Sequence, residues 1–386
     1  MVPFPALEQP LNPFPRYEAM RQSEPVFQDQ ETGVWHVFRY DDVQRVLSEH
    51  ATFSSRYGGD DPSGQLFAAS LVNTDPPRHR QLRSLVSQAF TPRSVEALAP
   101  RISDLTNELL DPVIAAGTTD LIDQLAYPLP VIVIAELMGI PAADRDRFKQ
   151  WSDVIVSQTR PGADESGHAT ANREMAEYFM GMIEQRRRQP GNDLISALLG
   201  AEIDGQKLSV MELLGFCSLL LVAGNETTTN LIGNAVLCFT EAPGTAERLI
   251  AEPELLPHAI EEVLRYRSPV QSMYRISAVD TTLRGRSIPA GSPIVAWIGS
   301  ANRDGEQFPD PEVFDAGRSP NRHLAFGQGI HFCLGAPLAR LEAKIALQAV
   351  LSRLPGLAVE PGATLERMES TIVYGVKKLP VTWQAA

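Results

Sequence analysis

Apolar residues recur along most of the chain at spacings of three and four, the period of a helix with one face turned to a core. Thr91-Pro92 reads as a helix cap followed by a first-turn proline. Beyond it Ile102, Leu105, Leu109 and Val113 keep the helical spacing until Gly117. A second start is written as Ser209-Val210-Met211-Glu212, a capping box in which hydroxyl and carboxylate each satisfy a backbone donor. The segment it opens is apolar on nearly every side and runs to about Thr240, ahead of Pro243-Gly244. About thirty residues at 1.5 Å rise span roughly 45 Å, so a long, central, buried helix is expected.

Strand-like patterns are short and scattered: Gly33 to Phe38, Gly285 to Ile288, Ser292 to Ile298 and Thr371 to Val376. They do not alternate regularly with helices, which argues against a doubly wound sheet. The pattern as a whole predicts a mainly α protein with small β-sheets. Ser54 to Pro77 and Arg160 to Thr170, rich in Gly, Asp and Ser, read as mobile loops. Arg186-Arg187-Arg188 reads as the solvated end of a further helix, favoured there by the helix dipole.

Composition narrows the function classes. The 34 basic and 47 acidic residues leave a net charge of −13, which argues against nucleic acid as a general partner. Apolar residues at 44% suffice for a large core and exclude a disordered chain. The 386 residues nominally suggest two or three domains at about 150 residues each. Three cysteines, Cys217, Cys238 and Cys333, are too few for a disulfide scaffold and fit a reducing compartment. Prolines 3, 5, 10, 13 and 15 crowd a Pro-rich N-terminal segment (residues 1–20), where no basic run leads into an apolar one. The longest apolar run, Leu213 to Gly224, falls short of the ~20 residues of a membrane span. A cytoplasmic protein without membrane or nucleic-acid partners is therefore expected.

The most informative stretch is Phe326-Gly327-Gln328-Gly329-Ile330-His331-Phe332-Cys333-Leu334-Gly335. Its glycine spacing misses the dinucleotide fingerprint, and no Lys-Ser/Thr pair makes a phosphate loop. An amphipathic helix follows, with Leu334, Leu338, Leu341, Ile345 and Val350 on one face. A cysteine at a helix start faces free N–H groups and the positive end of the dipole, which favours the thiolate. Such a thiolate in a glycine-lined loop could be a nucleophile paired with a histidine, a metal ligand or an axial ligand to haem iron. Zinc fits poorly with only His331 and Cys333 close together. An inert buried cysteine is the default for any one Cys, and Cys217 and Cys238 fit it.

Phe326-Gly-x-Gly-x-His-x-Cys333-x-Gly, followed by Ala336-Pro337-Leu338-Ala339-Arg340, resembles the haem-binding signature of the cytochrome P-450 family of haem-thiolate monooxygenases. Further stretches resemble family motifs in the right order, from about Trp35 to Tyr374, and look most like the short soluble prokaryotic members, thermophile types included. Ala223-Gly224-Asn225-Glu226-Thr227-Thr228 resembles the acid-alcohol site within the central helix. Glu262-Val263-Leu264-Arg265 resembles the Glu-x-x-Arg pair; alone, such an i,i+3 pair is a surface contact of ~0.2–0.5 kcal/mol. Asp75-Pro76-Pro77-Arg78-His79-Arg80-Gln81-Leu82-Arg83 resembles the segment that reaches the haem propionates.

What the resemblance implies is a single domain (residues 1–386) with a cytochrome P-450-like helical fold. It implies haem b (iron protoporphyrin IX) on Cys333 as proximal iron ligand, with Phe326, Gly327, Ala223 and Gly224 beside the cofactor. His79, Arg83, Arg275 and His331 match the propionate-binding positions. Thr227 and Glu226 match the proton-delivery pair, which the peroxide-using branch characteristically lacks. Glu262, Arg265 and Arg318 match a structural group. The implied activity inserts one oxygen atom of dioxygen into a hydrophobic small molecule and reduces the other to water. The substrate pocket is expected at Leu220, Ala223, Gly224, Val270, Gln271 and Ile372, roofed by the two mobile loops. With no flavin or iron-sulfur region, electrons would come from a separate ferredoxin or flavodoxin with its reductase. The donor is expected to dock on a basic patch of Arg78, Arg80, Arg83 and Arg340 on a monomeric enzyme. A cysteine hydrolase and a haem carrier without turnover are the rival readings.

Overall fold

The structure, a computed structural model, describes residues 12–56, 70–144, 146–148, 150, 151, 154, 165–202, 205–368 and 370–385. Of the stretches expected to be mobile, residues 57–69 and 160–164 lie outside the described residues. From Glu165 onward the chain is already helical, as far as Arg188. Helices predominate, as the pattern predicts. Two compact units are formed, one of Met1–Ser54, Ala99–Leu129 and Thr227–Ala386, the other of Ser55–Leu98 and Pro130–Glu226.

The strands among the described residues, all in the first unit, are short. They are β1 (Val26–Gln28), β2 (Trp35–Val37), β3 (Phe53–Ser54), β4 (Thr118–Asp120), β5 (Met273–Ser277), β6 (Thr281–Leu283), β7 (Arg286–Ile288), β8 (Pro293–Ala296), β9 (Ala358–Val359) and β10 (Pro380–Thr382). The largest sheet runs β1-β2-β8-β5-β3. Within it β2 and β8 are parallel, with Trp35 opposite Ile294 and Val37 opposite Ala296. These two lie in the expected stretches Gly33 to Phe38 and Ser292 to Ile298. Gly285 to Ile288 supplies β7, which pairs with β6 across Arg284-Gly285. Both turn residues have positive φ, 45° and 75°, as a two-residue hairpin of right-handed twist demands. Thr371 to Val376, expected as a strand, joins none of these sheets and makes only isolated bridges, Val270 with Val373 and Arg367 with Val376. Side chains also hold this backbone: Ser370 Oγ accepts from the N–H groups of Ile372 and Val373, and Asn234 Nδ2 donates to the Tyr374 carbonyl.

One core cluster packs the helix Tyr40–Ser48 (Val43, Val46, Leu47) with sheet residues Val37, Phe53, Ile294 and Ala296. A second joins Phe14 and Tyr17 to Phe38 and Trp297, the Tyr17 and Trp297 rings 5.5 Å apart. The cap at Thr91 forms as expected, its side chain accepting from Ser94 N, but the helix it opens ends at Glu96. A separate helix, Ala99–Leu110, buries Ile102, Leu105, Thr106 and Leu110, leaving Leu109 and Val113 only half-buried.

The central helix spans Val210–Glu241, within a residue of the expected limits. Its capping box closes through Ser209 N to Glu212 Oε2 at 2.8 Å and Glu212 N to Ser209 Oγ at 3.2 Å. Every residue from Thr228 to Phe239 is buried, which explains why this length carries no polar face. The boundary between the units falls in this helix, after Glu226. In the second unit, Arg186 is not solvated as expected. It pairs with Asp193 and donates to the Gly139 carbonyl at 3.1 Å, while Arg187 and Arg188 reach Glu184 among the described residues.

Candidate functional site

In the first unit the cysteine segment is a tight loop. Gly327 and Gly329 have φ of 72° and 68°, a region that L side chains rarely adopt. A Cβ on Gly329 would also lie 2.9 Å from Ser48 Cα, so the close approach this glycine permits is to the end of the helix Tyr40–Ser48. The loop closes on itself where Cys333 N–H donates to the Phe326 carbonyl at 2.8 Å. The next helix, Ala336–Arg353, begins just beyond, so Cys333 precedes its first turn. The expected stripe needs correction. The buried face is Leu338, Glu342, Ala343, Ala346, Leu347 and Val350, with Leu341 and Ile345 only half-buried. The helix packs against the helices Ala99–Leu110 and Leu256–Tyr266.

The helix Leu256–Tyr266 brings the expected structural group together. Arg265 Nε and Nη2 donate to the two Glu262 carboxylate oxygens at 2.8 and 2.7 Å, and both side chains are 0% exposed. Arg318 Nε reaches Glu262 Oε1 at 3.1 Å, as the resemblance implies. Asp315 N and Asn321 Nδ2 complete the shell, each at 3.0 Å. The remaining Arg265 donors go to the carbonyls of Asn302, Pro311 and Val313. The segment that leads into the cysteine loop is thus pinned to one helix. Sequence reasoning missed Asn302, whose Oδ1 accepts from Leu324 N at 2.7 Å; a lone Asn carries no pattern that would reveal it.

Of the other site residues in this unit, Arg275 lies on β5 and is buried, its Nη1 donating to the Tyr274 carbonyl at 2.7 Å. His331 is half-buried in the cysteine loop, and Thr227 is half-buried on the central helix. Val270 and Ile372 are brought together: Val270 bridges to Val373, and Gln271 N donates to the Ile372 carbonyl at 2.7 Å. Gln271 itself does not belong to the wall of a pocket. Its side chain is fully buried, accepting from Tyr17 Oη at 3.1 Å and donating to the Ser268 carbonyl at 2.7 Å. It lies against Gly299, where any Cβ would collide with it.

In the second unit His79 and Arg83 sit on the helix Arg78–Ala89, His79 buried and Arg83 half-buried. Their separation of four residues puts them on one face, as expected. Leu220, Gly224 and Glu226 are half-buried on the central helix, and Ala223 is exposed. A Cβ on Gly224 would meet Ile134 Cδ1 at 3.1 Å, so packing within the protein accounts for this glycine. The expected basic patch is depleted. Arg78 Nε and Nη2 are spent on Glu212 at 2.7 and 2.6 Å, and Arg340 Nε and Nη2 on Glu261 at 2.7 and 2.8 Å.

Two features suit haem. Free cysteine is among the most buried residue types, yet Cys333 is exposed at the loop's end. Ala223 is exposed midway along the longest of the described helices. Within the first unit, an exposed thiol, the half-buried His331 and the buried Arg275 are the kinds of side chain that an iron porphyrin with carboxylates requires.

A model of the cytochrome P450 family matches residues 133–381. The chain is 46% identical over 376 residues to the putative cytochrome P450 YjiB of Bacillus subtilis, across 96% of this chain and 93% of that one. It is 41% identical over 385 residues to cytochrome P450 monooxygenase PikC of Streptomyces venezuelae, across 97% and 91%. Among solved structures it resembles CYP109E1 of Bacillus megaterium in complex with testosterone, with a TM-score of 0.89 and 49% identity over 97% of this chain and 100% of that one.

Proposed function

Because the chain belongs to the cytochrome P450 family, and so is a haem-dependent monooxygenase that takes electrons from a separate redox partner, we propose what each site residue does in that reaction. The observation that carries the reading is the exposed Cys333, held by its own N–H to the Phe326 carbonyl in a loop that turns at the positive-φ glycines Gly327 and Gly329. Cys333 would ligate the iron as thiolate. His331, Arg275, His79 and Arg83 would neutralise the propionates, and Phe326 and Gly327 would shield the sulfur. Activation of dioxygen is the chemistry that haem b supplies when bound, with thiolate ligation favouring cleavage of the O–O bond.

The chain's own part is binding, exclusion of water and proton supply. Thr227 Oγ1 would hold a water in the central helix, and Glu226 would feed protons to it from the preceding position. Val270 and Ile372 in the first unit, and Leu220, Ala223 and Gly224 in the second, would each offer apolar surface to a hydrophobic substrate. A steroid-sized molecule is the first candidate, since CYP109E1 binds testosterone at 49% identity. The electron donor would be a ferredoxin or flavodoxin with its reductase, meeting a monomeric enzyme in the cytoplasm. Three thiols without a disulfide suit that compartment.

The test is the spectrum of the reduced, carbon monoxide-bound protein. A thiolate-type red-shifted band is expected, and a band without that shift overturns the assignment of Cys333. For the proton pair, Thr227→Ala is expected to keep haem and release peroxide uncoupled from product; unchanged coupling removes Thr227 from that role.

A further inference from the structure

Beside the Glu262 group lies a second cluster that the reading above leaves unused. Glu261, one residue earlier on the helix Leu256–Tyr266, accepts from Arg340 Nε and Nη2 at 2.7 and 2.8 Å and meets His323 Nε2 at 3.0 Å. The His323 Nδ1 accepts from Ala325 N at 3.2 Å, which assigns the Nε2 proton to the bond with Glu261. Desolvation would raise the Glu261 pKa, but hydrogen bonds from Arg340 and His323 hold it well below the usual range, at about 2. The carboxylate is therefore permanently charged at neutral pH, and Arg340 is fixed by a two-pronged bond.

The free face of that guanidinium lies 4.4 Å from the centroid of the Phe326 ring. His323 and Phe332 flank the same ring at 6.1 and 6.3 Å. Phe326 in turn offers its backbone carbonyl to the N–H of Cys333 at 2.8 Å. A continuous run of contacts thus leads from Glu261 through Arg340 and the Phe326 ring to the backbone that carries the thiol. The stack uses the planar guanidinium, which an ammonium cannot reproduce.

We propose that Glu261, Arg340 and His323 are positioning residues for the thiolate ligand: they fix the Phe326 ring over the cysteine loop and so set the reduction potential of the haem iron. This rests on the assignment of Cys333 as iron ligand. It also gives Arg340 an inward role in place of the docking role expected from the sequence. Loosening the ring admits water to the sulfur and lets the Cys333 N–H turn toward it. Either change stabilises negative charge on sulfur, weakens its donation to iron and favours the ferrous state.

The experiment is a redox titration of haem-loaded wild type, Arg340→Lys and Glu261→Gln, with the carbon monoxide spectrum recorded for each. Arg340→Lys keeps the charge but loses fork and plane. It is expected to shift the ferric–ferrous equilibrium about tenfold toward ferrous, an upward change of about 59 mV for one electron. A fraction of its carbon monoxide complex should lack the thiolate red shift. Glu261→Gln keeps the size of the side chain and is expected to move the potential the same way by a smaller factor. Potentials unchanged in both variants overturn the proposal. Should Arg340→Lys fail to retain haem, Glu261→Gln decides alone. A wild type lacking the red-shifted band strikes the Cys333 assignment instead, so the two failures are told apart.

Discussion

Glu262 and Glu342 are both fully buried carboxyl side chains of the first unit, and they have opposite surroundings. Glu262 accepts from two guanidiniums, a backbone N–H and an amide. Glu342, 1% exposed on the helix after Cys333, has no hydrogen-bond partner for Oε1 among the described residues. Burial alone pushes its pKa up to about 8, with no charged neighbour contributing. Burial therefore does not decide what a carboxyl group does; the donors around it do. One of these groups fastens the loop before the cysteine to a helix, and the other is a neutral acid at pH 7.

The largest effect should come from breaking the better-satisfied group. Glu262→Gln leaves Arg265 and Arg318 without their counter-charge, Arg265 in a site with no access to water. A loss of about 3–5 kcal/mol in unfolding free energy is expected, or failure to accumulate folded protein. Urea denaturation checks it, and a loss below about 1 kcal/mol would mean that the carbonyls around Arg265 suffice on their own.

Glu342→Gln should act the other way. The folded pKa of about 8 lies above that of the unfolded chain, so the native state holds a proton that the unfolded state releases. Wild-type stability must then fall as pH rises from the unfolded value through about 8, and level off above it. The neutral glutamine has no such slope. The variant should gain on the wild type by up to ~1.4 kcal/mol per pH unit over that window, roughly 3 kcal/mol by pH 7. Parallel pH–stability curves for the two proteins would show that Glu342 is not held neutral.

The same contrast separates what the sequence reveals from what it hides. The central helix is legible at both ends because its signals, Ser209 with Glu212 and Pro243-Gly244, are local. Glu262 with Arg265, three residues apart on one helix, is legible only through the family resemblance, since the spacing alone reads as a surface contact. The cysteine loop is legible as a compact motif, although one of its glycines serves packing against Ser48. Arg340 and Glu261 are 79 residues apart, and no periodicity joins them. Arg340 therefore reads as a free surface charge until the fold brings it to Glu261. Gln271 misleads in a similar way: its neighbour Val270 is half-buried while its own side chain turns inward to Tyr17. Glu342 falls among Leu338, Ala343 and Ala346, where an amphipathic pattern would assign a carboxylate to the wet face. The strands are short, and β3 and β9 have two residues each, too few for alternation to register.

A third carboxylate, Glu212, sharpens the comparison by having donors without deep burial. It takes the Arg78 fork at 2.7 and 2.6 Å and the Ser209 N–H at 2.8 Å, with Arg78 about a third exposed. Desolvation raises its pKa, but the bonds from Arg78 and Ser209 outweigh it and leave the folded value depressed. For a depressed carboxylate, the stabilisation is present above the unfolded pKa and is lost as pH falls through the folded one. Glu212→Gln keeps an oxygen for the Ser209 N–H and gives up the charge. Water screens what remains, so a cost of about 0.5–1 kcal/mol is expected at neutral pH and low salt. The gap in Tm between variant and wild type should shrink in 1 M salt and close in acid, where both side chains are neutral. A cost as large as that of Glu262→Gln, or one indifferent to salt, would mean that the number of donors matters and burial does not. The predicted ordering, Glu262 above Glu212 with Glu342 of opposite sign, requires both.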